Sequence, residues 1–206
     1  KSLALSGLTS GKNYDVFLHN ASGTLTLSLS SAWTNDTTRA NALAYQDGVR
    51  VLASDHTKRL VGTIRATGAN TTADSGMTRP AQRLVVNEAH LVARNVYIAI
   101  AIPGSWSYSS DSWRPMNNDA ANYITCLGRE GTVCSLSVKA YSGSSSARQT
   151  AISLDSTSIP YHELWSRSNG SSVAIPTSVN IVMAEGYHYM AALEKVSGIV
   201  AQEFVT

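Results

Sequence analysis

The stretch NYDVFLHNASGTLTLSLS, residues 13–30, alternates apolar and polar side chains on either side of a short turn. In its first half Tyr14, Val16 and Leu18 share one face, and in its second half every other residue from Leu25 onward is leucine. A period of two residues is typical of a strand with one buried face. Ala21-Ser22-Gly23 supplies turn residues between the halves. The stretch therefore predicts a β-hairpin.

The same pattern continues along the chain. Ala40–Tyr45 and Val49–Ala53 flank Gln46-Asp47-Gly48, which indicates a second hairpin. Turn residues recur every ~8–12 residues, as in β-sandwiches. The chain is therefore predicted to be all-β, an antiparallel β-sandwich or jelly roll. We treat residues 1–206 as one unit, with two halves that could meet near Pro103-Gly104.

Composition excludes several classes of function. The 206 residues are 43% hydrophobic and 15% charged, with a net charge of +2 and no basic run, so nucleic-acid binding is not expected. The longest apolar run, around Val96–Pro103, is shorter than the ~20 residues of a membrane helix, so no membrane insertion is expected. Because the chain starts at Lys1 without Met, we expect an N-terminal attachment region to precede it.

The two cysteines flank a short turn. A three-residue loop Arg129-Glu130-Gly131, with Gly131 in the left-handed conformation, would place Gly128 opposite Thr132. Two residues further back, Cys126 would then stand opposite Cys134 at a separation that suits a disulfide. Two buried free thiols are the alternative that the sequence leaves open.

Motifs for catalysis or metal binding are absent from the sequence. The five histidines are scattered, and there is no nucleophile elbow or phosphate-binding glycine loop. Four acids suit a glycosidase pair by residue type but also suit turns or rims: Asp111, Asp119, Glu163 and Glu185. We predict a protein that is not an enzyme, with no cofactor and no metal site.

Aromatic residues are the strongest candidates for binding. Trp106, Tyr108 and Trp113 lie close together in a segment rich in serine and aspartate. Exposed aromatic rings beside hydroxyl and amide groups suit sugars, which have apolar faces and polar edges. Tyr161 with Trp165, and Tyr187 with Tyr189, could extend such a surface. The alternative is that these rings fill the core or a subunit interface.

Six segments carry a resemblance to a known family. They are Trp33–Arg39, Leu43–Val49, Lys58–Arg65, Trp106–Asn117, Ile152–Thr157 and Gly186–Glu194. In this order they resemble segments of bacteriophage virion proteins, notably tail-fibre and head-fibre subunits. The resemblance spans most of the chain, and the first three segments are its most specific part.

The resemblance implies a β-sandwich module at the outer end of a phage fibre, assembled as a homotrimer and located in the virion. Its partners would be further copies of itself, other virion proteins and a host cell-surface glycan. The resemblance brings no catalytic residues. Two rival functions remain: a capsid-decorating or connecting domain without receptor binding, and a polysaccharide-degrading tailspike domain.

Within the resembling segments, simple structural roles are expected. Gly62 inside a strand indicates a bulge or a close backbone approach. Arg39, Arg59 and Arg65 are expected to pair with aspartates, for which Asp36, Asp47 and Asp55 are the candidates. Trp33 and Trp113 are each expected to cover the core.

Overall fold

A computed structural model describes residues 1–75, 80–89, 105–142, 148–161, 165–168, 173–196 and 202–205. The chain is nearly all β, with antiparallel sheets, as the sequence predicts. The described part contains a 3-10 turn, Met116–Asn118, and no α-helix. The expected meeting point of two halves, Pro103-Gly104, lies outside the described residues.

Sixteen strands are described. They are β1 Asn13–Ala21, β2 Thr24–Leu29, β3 Leu43–Gln46, β4 Val49–Leu52, β5 Asp55–Arg65, β6 Ala81–Arg83, β7 Val85–Asn87, β8 Ser105–Tyr108, β9 Arg114–Pro115, β10 Tyr123–Gly128, β11 Thr132–Ser142, β12 Arg148–Leu154, β13 Trp165–Ser168, β14 Val173–Met183, β15 Gly186–Val196 and β16 Gln202–Val205.

The first sheet has the order β2-β1-β5-β4-β3, with β7 also paired to β5. Both predicted hairpins are confirmed. Their two-residue turns are Ser22-Gly23 and Asp47-Gly48, and all four turn residues have positive φ between 50° and 86°. This conformation matches the right-handed twist of the flanking strands, which is why glycine ends each turn.

Gly62 shows both features that its position predicts. The register between β1 and β5 shifts at this point, where Val16 pairs with Gly62 and Phe17 pairs with Leu60. A Cβ at Gly62 would lie 2.5 Å from the carbonyl oxygen of Val86, because β7 approaches β5 closely there. A side chain at this position would therefore push β7 away.

The second and third sheets are built from the rest of the chain. The second has the order β13-β12-β15-β10-β6 with β9 also paired to β15, and the third has the order β14-β11-β16-β8. Their pairs are antiparallel except for β6 with β10. Buried residues of both sheets form one apolar cluster: Cys126, Ile152, Val179, Ile181, Met183 and Met190.

The predicted hairpin around the cysteines is wrong in its pairing. Gly131 does take the left-handed conformation, at φ 78°, and the turn closes. However, β10 pairs with β15 and β6, whereas β11 pairs with β14 and β16. Cys126 stands opposite His188, and Cys134 stands opposite Ile181. The turn leads from the second sheet into the third, because β10 and β11 each pair with strands that are distant in sequence.

The start of β15 contacts the loop between β2 and β3 through its backbone. The Tyr187 N–H donates to the carbonyl oxygen of Asp36 at 2.8 Å. Gly186 has φ 127°, and a Cβ there would lie 2.5 Å from the same oxygen. Only glycine combines this φ with so close an approach, so the contact between the start of β15 and the β2–β3 loop depends on Gly186.

Candidate functional site

Three of the five predicted aromatic residues lie near the C-terminal half of β15. Trp106 and Tyr108 belong to β8, and Trp113 precedes β9, which pairs with β15 at Leu193 and Glu194. The Trp106 indole N–H donates to Glu194 Oε2 at 2.7 Å. The structure thus brings these three residues to one end of the second sheet, where they serve different roles.

Glu194 is a fully buried carboxylate with three donors. Besides Trp106, it accepts a hydrogen bond from Arg114 Nε at 2.7 Å and one from the Asn117 N–H at 3.1 Å. Burial raises the pKa of Glu194 above its ordinary value, although the bonds from Trp106 and the charge of Arg114 act in the opposite direction. The donors compensate the buried charge.

Tyr108 supports this cluster and offers little free surface. The Arg114 guanidinium carbon lies 3.7 Å from the centroid of the Tyr108 ring, a cation–π contact. The Tyr108 hydroxyl donates to the carbonyl oxygen of Ser112. We name Trp106, Tyr108, Arg114, Asn117 and Glu194 the Glu194 cluster. Its aromatic residues stabilise a buried charge.

Trp113 packs on the other side of the second sheet. Together with Tyr123 it covers Ala151, Ala191 and Leu193, which are almost completely buried. These lie on the side of β12 and β15 opposite to Ile152 and Met190, which face the third sheet. Trp113 therefore covers a small apolar cluster, as the sequence predicts.

Tyrosines continue this surface along β15. Tyr189 meets the Tyr123 ring edge-to-face, with centroids 5.8 Å apart and planes at 62°. Tyr187 follows on the same face of the strand and has the Arg65 guanidinium carbon 3.4 Å from its ring centroid. We name Trp113, Tyr123, Tyr187 and Tyr189 the aromatic face.

Charged groups border the Trp113 end of the aromatic face. Lys195 Nζ lies 5.8 Å from the Trp113 ring centroid and 3.1 Å from Asp111 Oδ1. The Asp111 side chain is 69% exposed. This end therefore presents an indole ring beside an ammonium group and a solvent-exposed carboxylate, which are groups that hydrogen-bond sugar hydroxyls.

The other two predicted residues lie elsewhere. Tyr161 packs against the apolar cluster between the second and third sheets, on the side opposite to Trp113. Trp165 belongs to β13, where its backbone pairs with Ala151, and its side chain lies outside the description. The structure does not bring Tyr161 together with the aromatic face.

Both cysteines are free thiols, and they contact each other across the two sheets. A hydrogen bond from Cys126 lowers the pKa of Cys134 to about 7, and the same contact, together with burial, raises the pKa of Cys126. This structure shows the two cysteines as free thiols in contact, and the disulfide between them stays a prediction.

His188 lies near Cys134 but is fully engaged. Its Nδ1 lies 2.7 Å from Asp155 Oδ2, and its Nε2 lies 3.2 Å from the carbonyl oxygen of Ala184. The hydrogen bond to Asp155 raises the pKa of His188. Both ring nitrogens of His188 are therefore engaged with acceptor groups, and neither is free to act as a base.

The sequence-based candidate acids have structural partners. Glu185 binds Arg39 and Arg50, Asp111 binds Lys195, and Asp119 accepts the Ala121 N–H at 2.8 Å. Glu163 lies outside the described residues. In the described part of the chain, no three metal-ligating side chains form a metal site, and no helix is long and apolar enough to span a membrane.

The predicted arginine–aspartate pairing is partly observed. Arg65 binds Asp36 at 2.8 Å, as expected. Arg39 instead binds Asp15 at 2.8 Å and also Glu185, which is 146 residues away. Short-range spacing gave no indication of either contact, because the loop that carries Arg39 is held against β1 by the Ser30 and Trp33 N–H groups, and Glu185 arrives with the β14–β15 turn.

Comparisons with protein-family models, with curated proteins and with solved structures find no match for this chain.

Proposed function

We propose that this chain is a non-enzymatic component of a bacteriophage virion, a fibre or spike module whose aromatic face contacts host-surface glycans. In this proposal the second and third sheets are the two layers of a jelly-roll-like β-sandwich, and three copies assemble into a homotrimer attached to other virion proteins. The aromatic face is the observation that carries the glycan assignment.

The resembling segments support the fibre assignment because their residues meet at one place. Trp33 and Arg39 both bind the buried Asp15, and Arg65 contacts Asp36 and Tyr187. Segments far apart in the sequence thus build a single junction between the first and second sheets. If the chain shares its fold with fibre proteins, the residues of the resembling segments are expected to act together in one structural role, as these do.

The construction of the aromatic face supports glycan binding. Ala151 and Ala191 are small, which lets the Trp113 and Tyr123 rings lie against the sheet. Rings supported from behind keep a fixed orientation, which lowers the entropy lost on binding. Their outer surfaces, together with Asp111 and Lys195, combine apolar area with polar groups, as sugar rings require.

The glycan assignment is tested with two variants and a matched control. Trp113→Ala and Tyr123→Ala each remove one ring, and we expect each to weaken glycan-array binding and adsorption to host cells about tenfold or more. Ile159→Ala removes a side chain that is 67% exposed, and it should leave both readouts unchanged. Circular dichroism checks that each variant is folded.

Several outcomes would change the proposal. Full glycan binding by both folded variants would refute the aromatic face as the site. Silence of the wild-type chain on glycan arrays, with density on the phage head, would favour a decorating domain. Release of reducing ends from host polysaccharide would favour a degrading spike. Light scattering tests the trimer, which requires a mass of three times 21.9 kDa.

A further inference from the structure

A basic cleft lies beside the first sheet, away from the aromatic face. It has a volume of about 340 Å³. Its polar and aromatic lining residues are Tyr45, Arg50, Arg59, Asn87, Glu88 and Arg129. They come from β3, β4, β5, from the end of β7 and from the turn that follows β10. The cleft shares no residue with the aromatic face, so binding in the cleft does not depend on binding at the aromatic face.

Two of the three arginines are already neutralised. Arg129 lies 3.3 Å from Glu88 Oε1 and also donates to the Glu88 carbonyl oxygen. Arg50 lies 3.4 Å from the same Glu88 oxygen and 2.7 Å from Glu185 Oε1. Both guanidinium groups are thereby fixed in position, since each is held by more than one acceptor.

Arg59 is the exception. Its side chain is exposed on β5 and forms no hydrogen bond or ion pair with another residue in the described part of the chain. Three arginines and the two glutamates that bind them leave one positive charge, that of Arg59. The cleft can therefore neutralise one negative charge of a ligand. A ligand group with two negative charges matches it less well.

Tyr45 and Asn87 indicate the chemistry that would accompany this charge. Tyr45 is 73% exposed, the most exposed large hydrophobic side chain in the described part of the chain. A free tyrosine ring suits the apolar face of a sugar, and the Asn87 amide suits its hydroxyl groups. A carboxylate fits the planar donor geometry of arginine.

We propose that this cleft binds a sugar that carries a single carboxylate, such as a hexuronate residue of an acidic polysaccharide. The carboxylate binds Arg59, and the sugar ring lies against Tyr45.

Calorimetric titration with trigalacturonate tests the proposal. The uncharged methyl ester of trigalacturonate and inorganic phosphate serve as comparison ligands. Arg59→Gln removes the free guanidinium, and we expect it to weaken trigalacturonate binding about tenfold or more. Lys58→Gln is the matched control, because it removes the same charge from the neighbouring residue, whose side chain points to the other face of β5 and binds Asp55.

The expected result is saturable binding of trigalacturonate by the wild type and by Lys58→Gln, with loss in Arg59→Gln and weak binding of the methyl ester. Added salt should weaken the binding further. Absence of saturable binding to the wild type, or equal binding by Arg59→Gln, would overturn the proposal. Phosphate binding as tight as that of trigalacturonate would overturn the assignment to a sugar.

Trp113→Ala separates this proposal from the preceding one. It should bind trigalacturonate as the wild type does, because Trp113 does not line the cleft. Loss of uronate binding in Trp113→Ala would contradict the assignment to Arg59 and Tyr45, whereas its loss in Arg59→Gln alone would support the assignment, whatever the glycan array shows for the aromatic face.

Discussion

Two carboxylates in different sheets are buried by the same chemical solution. Asp15 and Glu194 are both fully buried, and each accepts one bond from a tryptophan indole and one from an arginine Nε. A third donor completes each set, the Thr63 hydroxyl for Asp15 and the Asn117 N–H for Glu194. Each arginine also lies over an aromatic ring.

The two sites differ in what their arginines do next. Arg39 continues from Asp15 to Glu185 and thereby connects the first sheet to the β14–β15 turn. Among the described residues, the side-chain hydrogen bond and the cation–π contact of Arg114 both stay within its own cluster, and its side chain is 24% exposed. The same set of groups therefore closes the Glu194 site locally and, at the Asp15 site, connects the first sheet to the β14–β15 turn.

Loss of the arginines should reveal this difference most strongly. Arg39→Ala leaves Asp15 and Glu185 without their shared cation, so we expect a loss of about 3–5 kcal/mol in the free energy of unfolding. Arg114→Ala affects one carboxylate, Glu194, whose pKa is raised above its ordinary value by burial, and a loss of about 2 kcal/mol is expected. Urea unfolding at neutral pH measures both.

A control defines the background of the arginine comparison. Lys58→Ala removes an exposed cation and should change stability little. Equal losses for Arg39→Ala and Arg114→Ala would contradict the connecting role of Arg39.

Substitution of the tryptophans should lower stability less than loss of the arginines, and the Asp15 site should again lose more than the Glu194 site. Trp33→Phe and Trp106→Phe each remove an indole N–H from a buried carboxylate, which costs about 1–3 kcal/mol. Trp33 is only 2% exposed, so the smaller ring also leaves a gap there, and its loss should be the greater of the two. Thermal unfolding midpoints provide the measurement, and a Trp106→Phe midpoint equal to that of the wild type would refute the hydrogen bond to Glu194.

The smallest expected difference is in how the contributions of Glu194 and Glu185 to stability change with pH. Burial raises the folded-state pKa of Glu194, so its contribution to stability is complete below the ordinary value of 4.5 and falls as the pH rises through the folded-state value. Burial alone would also raise the pKa of Glu185, but Arg39 and Arg50 outweigh it and hold the pKa lower. The Glu185 contribution is therefore present above pH 4.5 and is lost as the pH falls through the folded-state value.

Urea midpoints over a pH series test these opposite signs. Relative to the wild type, Glu194→Gln should gain stability as the pH rises from acid to neutral, whereas Glu185→Gln should lose it. Parallel curves for the two variants would show that Glu194 is not desolvated in solution.

Local structure was predictable from the sequence where local chemistry decides it. The β1–β2 and β3–β4 hairpins follow from alternation and from Ser22-Gly23 and Asp47-Gly48, and Gly62 indicated a close approach. The pairing of β10 with β11 was mispredicted because each strand pairs instead with a strand that is distant in sequence, β10 with β15 and β11 with β14. Turn chemistry does not report such competition.

The candidate site was predictable only in part for the same reason. The proximity of Trp106, Tyr108 and Trp113 in sequence located one end of the second sheet. It could not show that Glu194, 88 residues from Trp106, uses the indole N–H, nor that Trp113 packs on the opposite side. The residue type Trp is equally suited to a sugar and to a buried carboxylate, and only the fold distinguishes the two.

The contact of Glu185 with Arg50 also sets an order of events during synthesis. The Asp15 site needs no residue beyond Thr63, so it can close while the ribosome is still producing the second sheet. Glu185 follows Arg50 by 135 residues, and at ordinary translation rates the synthesis of this stretch takes roughly 7 to 27 s. Until then Arg39 and Arg50 lack Glu185, which is added with the β14–β15 turn after every strand of the first sheet has been synthesised.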